Sequence, residues 1–202
     1  MKELHEKFNA NYTTSPDYSI DFFKGHAIIF NNIKSFEYES DLLLFMEIYY
    51  SCINAFIIKG QHNNALSSLL KVVPVIEQSI DKFKIDRVTF NFYKWILFLQ
   101  ANAYYNLKDY SPALNIFKQL YAYEPENDIF KQWIEYSKYG RLSKYSSVMW
   151  IFLLIALIVS VFGKSVVPFY IRFPLLCVGL LTSIAYAIIE YYLKRKRSRV
   201  KA

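Results

Sequence analysis

The sequence predicts an all-α chain in two parts, a domain of paired helices followed by two apolar helices. Three observations predict it. Residues 1–144 carry apolar side chains at three- and four-residue spacing and no alternating strand pattern. Two long, almost uncharged stretches follow, and within the first region a later part reads as a copy of an earlier one. The 202 residues are 54% apolar, with 18 Tyr and 17 Phe against 5 Gly and 6 Pro. So much aromatic surface must be buried, which excludes a disordered or collagen-like chain. Two cysteines, Cys52 and Cys177, exclude a disulfide scaffold and a Cys-rich zinc site.

Taken in order, Asp17 to Ile33 is expected to supply an N-terminal helix. Asp41 to Ile58 forms the next and stops at Lys59-Gly60, a C-terminal cation followed by the residue best suited to a left-handed cap. Asn63 or Asn64 caps a helix through about Ile80, which Pro74 is expected to kink. A helix from about Arg87 to Leu107 leads at once into another beginning near Asp109. Pro112 lies in its first turn, where a missing N–H is harmless, and it ends before Glu124-Pro125-Glu126. Asp128 to Tyr139 makes a last helix, closed by Gly140.

Residues 145–163 then run uncharged for a length close to the roughly 30 Å hydrocarbon thickness at about 1.5 Å per residue. A second stretch, 173–193, has Glu190 as its only charge. Soluble cores rarely hold helices that are apolar on every face, so the pair reads as a transmembrane hairpin. The expected division is a domain at 1–144, a hairpin at 145–193 and a basic tail at 194–202. Lys138, Arg141 and Lys144 precede the hairpin, and Lys194, Arg195, Lys196, Arg197, Arg199 and Lys201 follow it; its loop holds only Lys164 and Arg172. The positive-inside rule places both termini in the cytoplasm. The first residues lack the apolar core of a signal peptide, and on this topology the sequon at Asn11-Tyr12-Thr13 never meets the glycosylation machinery.

Within the spans, Ala156 and Ser160, and Gly179, Ser183 and Ala187, recur every fourth residue, a spacing that lets helices approach closely. Glu190 sits one turn before Lys194, where an i,i+4 pair and snorkelling satisfy it.

The internal copy aligns Asn54 with Asn102, Ala55 with Ala103, Phe56 with Tyr104, Ala65 with Ala113, Leu66 with Leu114 and Leu69 with Phe117. The second copy, about 94–127, carries Ala101, Tyr104, Ala113, Phe117 and Pro125 in the run ANAYYNLKDYSPALNIFKQLYAYEPEN. Small residues sit where two helices cross, aromatic ones fill the space around the crossing, and proline ends the second helix. This stretch resembles the tetratricopeptide repeat. The first copy, about 46–80, departs from that pattern: Ile53 replaces the small residue at the crossing, no proline closes the pair, and the offset between the copies exceeds the usual period. The expected architecture is therefore a tetratricopeptide-like domain of antiparallel helix pairs, followed by the two-helix hairpin, the number of repeats being left open.

The sequence holds no Gly-rich phosphate loop, no G-x-S-x-G, no H-E-x-x-H and no C-x-x-C. His5, His26 and His62 are scattered, and His62, in a helix–helix turn, is expected to be exposed. No enzyme activity, cofactor or metal is expected. The resemblance implies instead a peptide-binding groove lined by the first helix of each pair: Trp95, Phe98, Asn102, Tyr105 and Asn106 in the clearer repeat, Tyr50, Asn54 and Ile57 in the weaker one. Asn54 and Asn102 share a register at which such domains hold a ligand backbone. The same residues read as helix contacts or solvated surface in a purely structural account.

Net charge is +7, yet residues 1–144 carry 16 Lys+Arg and 16 Asp+Glu, so the whole excess lies beyond them. That argues against nucleic acid and assigns the tail to anionic lipid headgroups. The expected function is a membrane-tethered adaptor that binds a protein or peptide at the cytoplasmic face, with a bacterial inner membrane as the preferred location. The alternative is a small accessory subunit of a transport, secretion or envelope-assembly complex, with the hairpin as its main contact.

Overall fold

A computed structural model describes residues 1–10 and 15–162 and, beyond them, 168, 170, 173, 174, 177–184, 186–188 and 191. Among these all regular structure is α-helical. Eight helices carry it: α1 (Lys2–Ala10), α2 (Pro16–Gly25), α3 (Ala27–Asn32), α4 (Glu39–Ile58), α5 (His62–Phe83), α6 (Asn91–Asn106), α7 (Tyr110–Tyr123) and α8 (Asp128–Phe162). The chain divides into two compact units, Met1–Trp133 and Ile134–Ala202, with the border inside α8. The first turns of α8 contribute Phe130 and Trp133 to the packing of the first unit.

In the first unit α4 pairs with α5 and α6 with α7, while α4 also packs on α6, and α5 on α6. The same relations recur one step earlier: α1 lies along α4, α2 packs against α4, and Phe8 of α1 touches Tyr18 and Phe22 of α2. Met1 pairs with Asp41 and His5 with Glu47, so α1 runs in the same direction as α4. The first helices α1, α4 and α6 and the start of α8 pack in succession as one row.

The turns after α4 and α6 share one backbone pattern. At the α4–α5 turn, the N–H groups of Lys59, Gly60 and Gln61 donate to the carbonyls of Ala55, Ile57 and Phe56. At the α6–α7 turn, those of Leu107, Lys108 and Asp109 donate to Ala103, Tyr105 and Tyr104, each 48 positions later. Both helices end in the Schellman pattern, with a left-handed residue at φ +71° (Gly60) and +62° (Lys108). Its carbonyl-satisfying geometry needs that conformation whatever residue supplies it.

The copies also share their core. Ile53 and Ala101, Ala65 and Ala113, and Leu69 and Phe117 are all fully buried. Tyr104 is half-buried, whereas Pro125 is exposed and only punctuates the chain after α7. Tyr49 reaches Ser68 across the α4–α5 pair through a buried hydroxyl–hydroxyl bond of 3.0 Å, which satisfies both groups away from water.

Three expectations are corrected. The single helix expected over 17–33 breaks at Gly25-His26 into α2 and α3, with the His26 ring N–H bonded to the Phe22 carbonyl. Gly140 does not close the last helix but lies inside α8; a glycine ends a helix only by turning left-handed, and inside one it costs only about 1 kcal/mol. His62 is half-buried as the first residue of α5, whose preceding residue is Gln61 rather than a capping asparagine. Pro74 stands inside α5 without ending it.

Among the described residues one helix, α4, is long and apolar enough to cross a membrane by length and composition. Half of that window is buried in the first unit, as a central core helix requires. In the second unit α8 continues through the uncharged run to Phe162, and residues 177–184 and 186–188 are helical. Thr182 and Ser183 turn their hydroxyls back onto the carbonyls of Val178 and Gly179, satisfying them within the helix. The side chains of Ala156 and Ser160, the sequon at 11–13, most of the loop, Glu190 and the tail cations Lys194, Arg195, Lys196, Arg197, Arg199 and Lys201 lie outside the described residues.

Candidate functional site

The eight groove residues anticipated from the sequence fall on α4 and α6, and the helix positions sort them into two groups. Phe98 packs edge-on against Trp133 at 6.0 Å and against Phe117 at 5.9 Å, with Phe130 at 6.1 Å. Tyr105 meets Trp133 at 5.0 Å and Tyr110 at 5.4 Å. These two therefore face the start of α8 and form, with Trp133 stacked on Phe117, an aromatic cluster that closes the row of first helices. Tyr50 and Ile57, 48 positions before Phe98 and Tyr105, are half-buried on α4, the helix that packs on α6.

Asn54, Trp95, Asn102 and Asn106 lie on the outward face. Trp95 is 45% exposed, its ring edge resting on Phe98 at 5.9 Å. Asn106 donates its amide to the Asn102 backbone carbonyl (2.9 Å) and to Asn102 Oδ1 (2.7 Å). The Asn102 amide oxygen accepts that bond, and its N–H₂ group can serve only as a donor. Asn54, one repeat earlier, is half-buried in the same register. Sequence reasoning grouped all eight residues because it assigned a helix face without knowing where the neighbouring helices pass.

Lys94, at the start of the clearer repeat, is nearly buried and donates to Glu124 Oε1. Glu124 Oε2 accepts from the Asn127 amide at 2.8 Å, and Asn127 Oδ1 accepts the Ile129 N–H at 3.1 Å, capping α8. The Lys94 ammonium, followed by the Asn127 amide, holds the Glu124 carboxyl below its ordinary range, against the opposing effect of burial. Sequence reasoning missed this chain of contacts, since a charge in an apolar helix carries no sign of its partner.

Burial pushes the Cys52 thiol up to about 12, leaving it protonated and unreactive at neutral pH. Among the described residues no group of His, Cys, Asp and Glu is arranged to hold a metal ion. Two shallow hollows of about 350 and 340 Å³ flank Met1 and Ile29 at the α1–α3 end and contain no convergent set of reactive groups. No protein-family model, curated protein or solved structure matches the chain.

Proposed function

We propose that the chain is a membrane-tethered adaptor whose tetratricopeptide-like helical domain binds a protein or peptide segment at the cytoplasmic face. The carrying observation is the outward face of α4 and α6, where Asn54 and Asn102 share one register and Trp95 is left nearly half exposed on a helix otherwise well packed. Two stacked helices presenting a side-chain amide at each step can hold a ligand backbone at successive points, while an exposed indole supplies apolar contact area. The row of first helices and the matched hydrogen bonds of the two turns support the repeat reading.

Tethering is supported by the second unit, where Ile151, Leu154, Ile155 and Ile158 on α8 and Val178, Leu181, Ile184 and Ile188 further on are all exposed. A water-soluble protein rarely leaves so much contiguous apolar surface uncovered, whereas hydrocarbon covers it without penalty. On this reading the hairpin spans 145–163 and 173–193, in a bacterial inner membrane with both termini cytoplasmic, and the tail sits on anionic headgroups.

The test is crosslinking in intact membranes with a photoreactive residue at Trp95 or Asn102, beside one at Asp21 on α2. Adducts specific to the outward face support the adaptor; adducts arising only from positions within 145–193 would favour the accessory-subunit alternative.

A further inference from the structure

We infer that the segment held on the outward face is cationic: a stretch of another protein carrying Lys or Arg, with a basic side chain beside Glu47 of α4 and its neighbour on Trp95 of α6. This rests on the reading of that face as a binding surface and names the chemistry it selects.

The charges on the two helices point one way. α4 contains no Lys or Arg, and its charged residues are Glu39, Asp41 and Glu47. α6 has a single cation, Lys94, which is turned inward and neutralised by Glu124. The two helices that build the face therefore offer carboxylates, amides and rings to a ligand, and no outward cation. Glu47 is the counterpart of Trp95 in the earlier copy, so both project from the same face on adjacent helices.

His5 holds Glu47 Oε2 at 3.0 Å, which fixes the carboxylate in place, yet the side chain stays 51% exposed. The carboxylate thus has an open side for a second donor. Asp41 is likewise held at one oxygen by the Met1 amino group, at 3.5 Å. An exposed indole adds to the preference, because its ring face attracts ammonium and guanidinium groups within about 6 Å. An acidic segment would meet the open side of the Glu47 carboxylate, on two helices whose one cation is turned inward, and be repelled.

The full chain in mild detergent is offered an array of unrelated nonapeptides whose net charge runs from about −3 to +3, at low and again at high salt. Retention is expected to rise with positive charge and to weaken at the higher salt, as added ions shorten the reach of exposed charges. Glu47→Gln should weaken the cationic peptides about two- to fivefold, in keeping with one exposed ion pair. Trp95→Ala should weaken them as well, while Asp21→Asn, which removes an exposed carboxylate on α2, should leave them unchanged.

Because Glu47→Gln keeps the shape of the side chain, and circular dichroism verifies its helices, a loss of binding is not a loss of fold. Binding that depends on Trp95 and Asn102 but ignores peptide charge would overturn this inference and leave the adaptor reading standing. If no peptide is retained by the wild-type chain, both fall together.

Discussion

Gly60 and Lys108 close equivalent turns with the same hydrogen bonds and the same left-handed backbone, one with a glycine and one without. Swapping the residue type at each should therefore shift stability in opposite directions. A residue with a Cβ in that conformation costs about 1–2 kcal/mol relative to its ordinary backbone, and glycine avoids the cost. Glycine also loses more freedom on folding, which offsets about 0.4–1 kcal/mol of the gain.

Lys108→Gly is then expected to stabilise the domain by about 0.5–1 kcal/mol. Gly60→Ala should destabilise it by a similar amount through the backbone alone, because a Cβ built at Gly60 meets nothing within 4 Å. Lys84, at φ +56°, ends α5 with the equivalent pair of bonds and serves as a third position, where glycine should stabilise. The assay is urea unfolding of the full chain in mild detergent, followed by tryptophan fluorescence in a Trp95→Phe, Trp150→Phe background that leaves Trp133, stacked on Phe117, as the reporter. With a slope of about 2 kcal/mol per molar, the midpoints should move by about 0.3–0.5 M, upward for Lys108→Gly and downward for Gly60→Ala. Shifts of the same sign at the two turns would refute the claim that backbone conformation governs both.

Other consequences are open to measurement. Phe117→Ala, which empties the centre of the aromatic cluster, should cost about 3–5 kcal/mol, and Phe117→Leu clearly less, in the same urea assay. Glu124 has a folded-state pKa below its unfolded value, so the unfolded chain binds more protons in the interval between them. Its stabilising contribution is complete above about pH 4.5 and disappears as pH falls through the lowered folded value; Lys94→Met should flatten the stability–pH curve there, and an unchanged curve would contradict the assignment. Cys52, in a Cys177→Ser background, should resist a thiol-specific reagent at pH 8 in the folded chain and react at once in urea. Comparable rates in the two conditions would place it outside the core.

Much of the fold was legible in periodicity and spacing. Helix class, the Lys59-Gly60 stop and the pairing of Ala65 with Ala113 follow from local backbone chemistry and from packing that recurs at a fixed offset. The α6–α7 turn was not legible as a copy of the first, because lysine gives no local sign of the left-handed conformation that Lys108 adopts. Nor was the fate of Gly140, since a glycine closes a helix only where the following chain turns back, and α8 continues. The shared register of Asn54 and Asn102 follows from the 48-residue offset alone. The inward turn of Phe98 and Tyr105 does not, because it depends on where Trp133, two helices further along the chain, comes to rest.

The sequence by itself determined that the chain is helical, that it carries an internal copy and that its charge excess lies beyond Lys144, because these are properties of composition and local order. Only the tertiary structure decided that α1 and the start of α8 complete the row of first helices, that Lys94 is neutralised from 30 positions away, and that the outward face is left with Glu47, Asn54, Trp95 and Asn102. The physical reason is that one side of a helix becomes core or surface according to which helix packs against it. That neighbour is chosen by the whole fold.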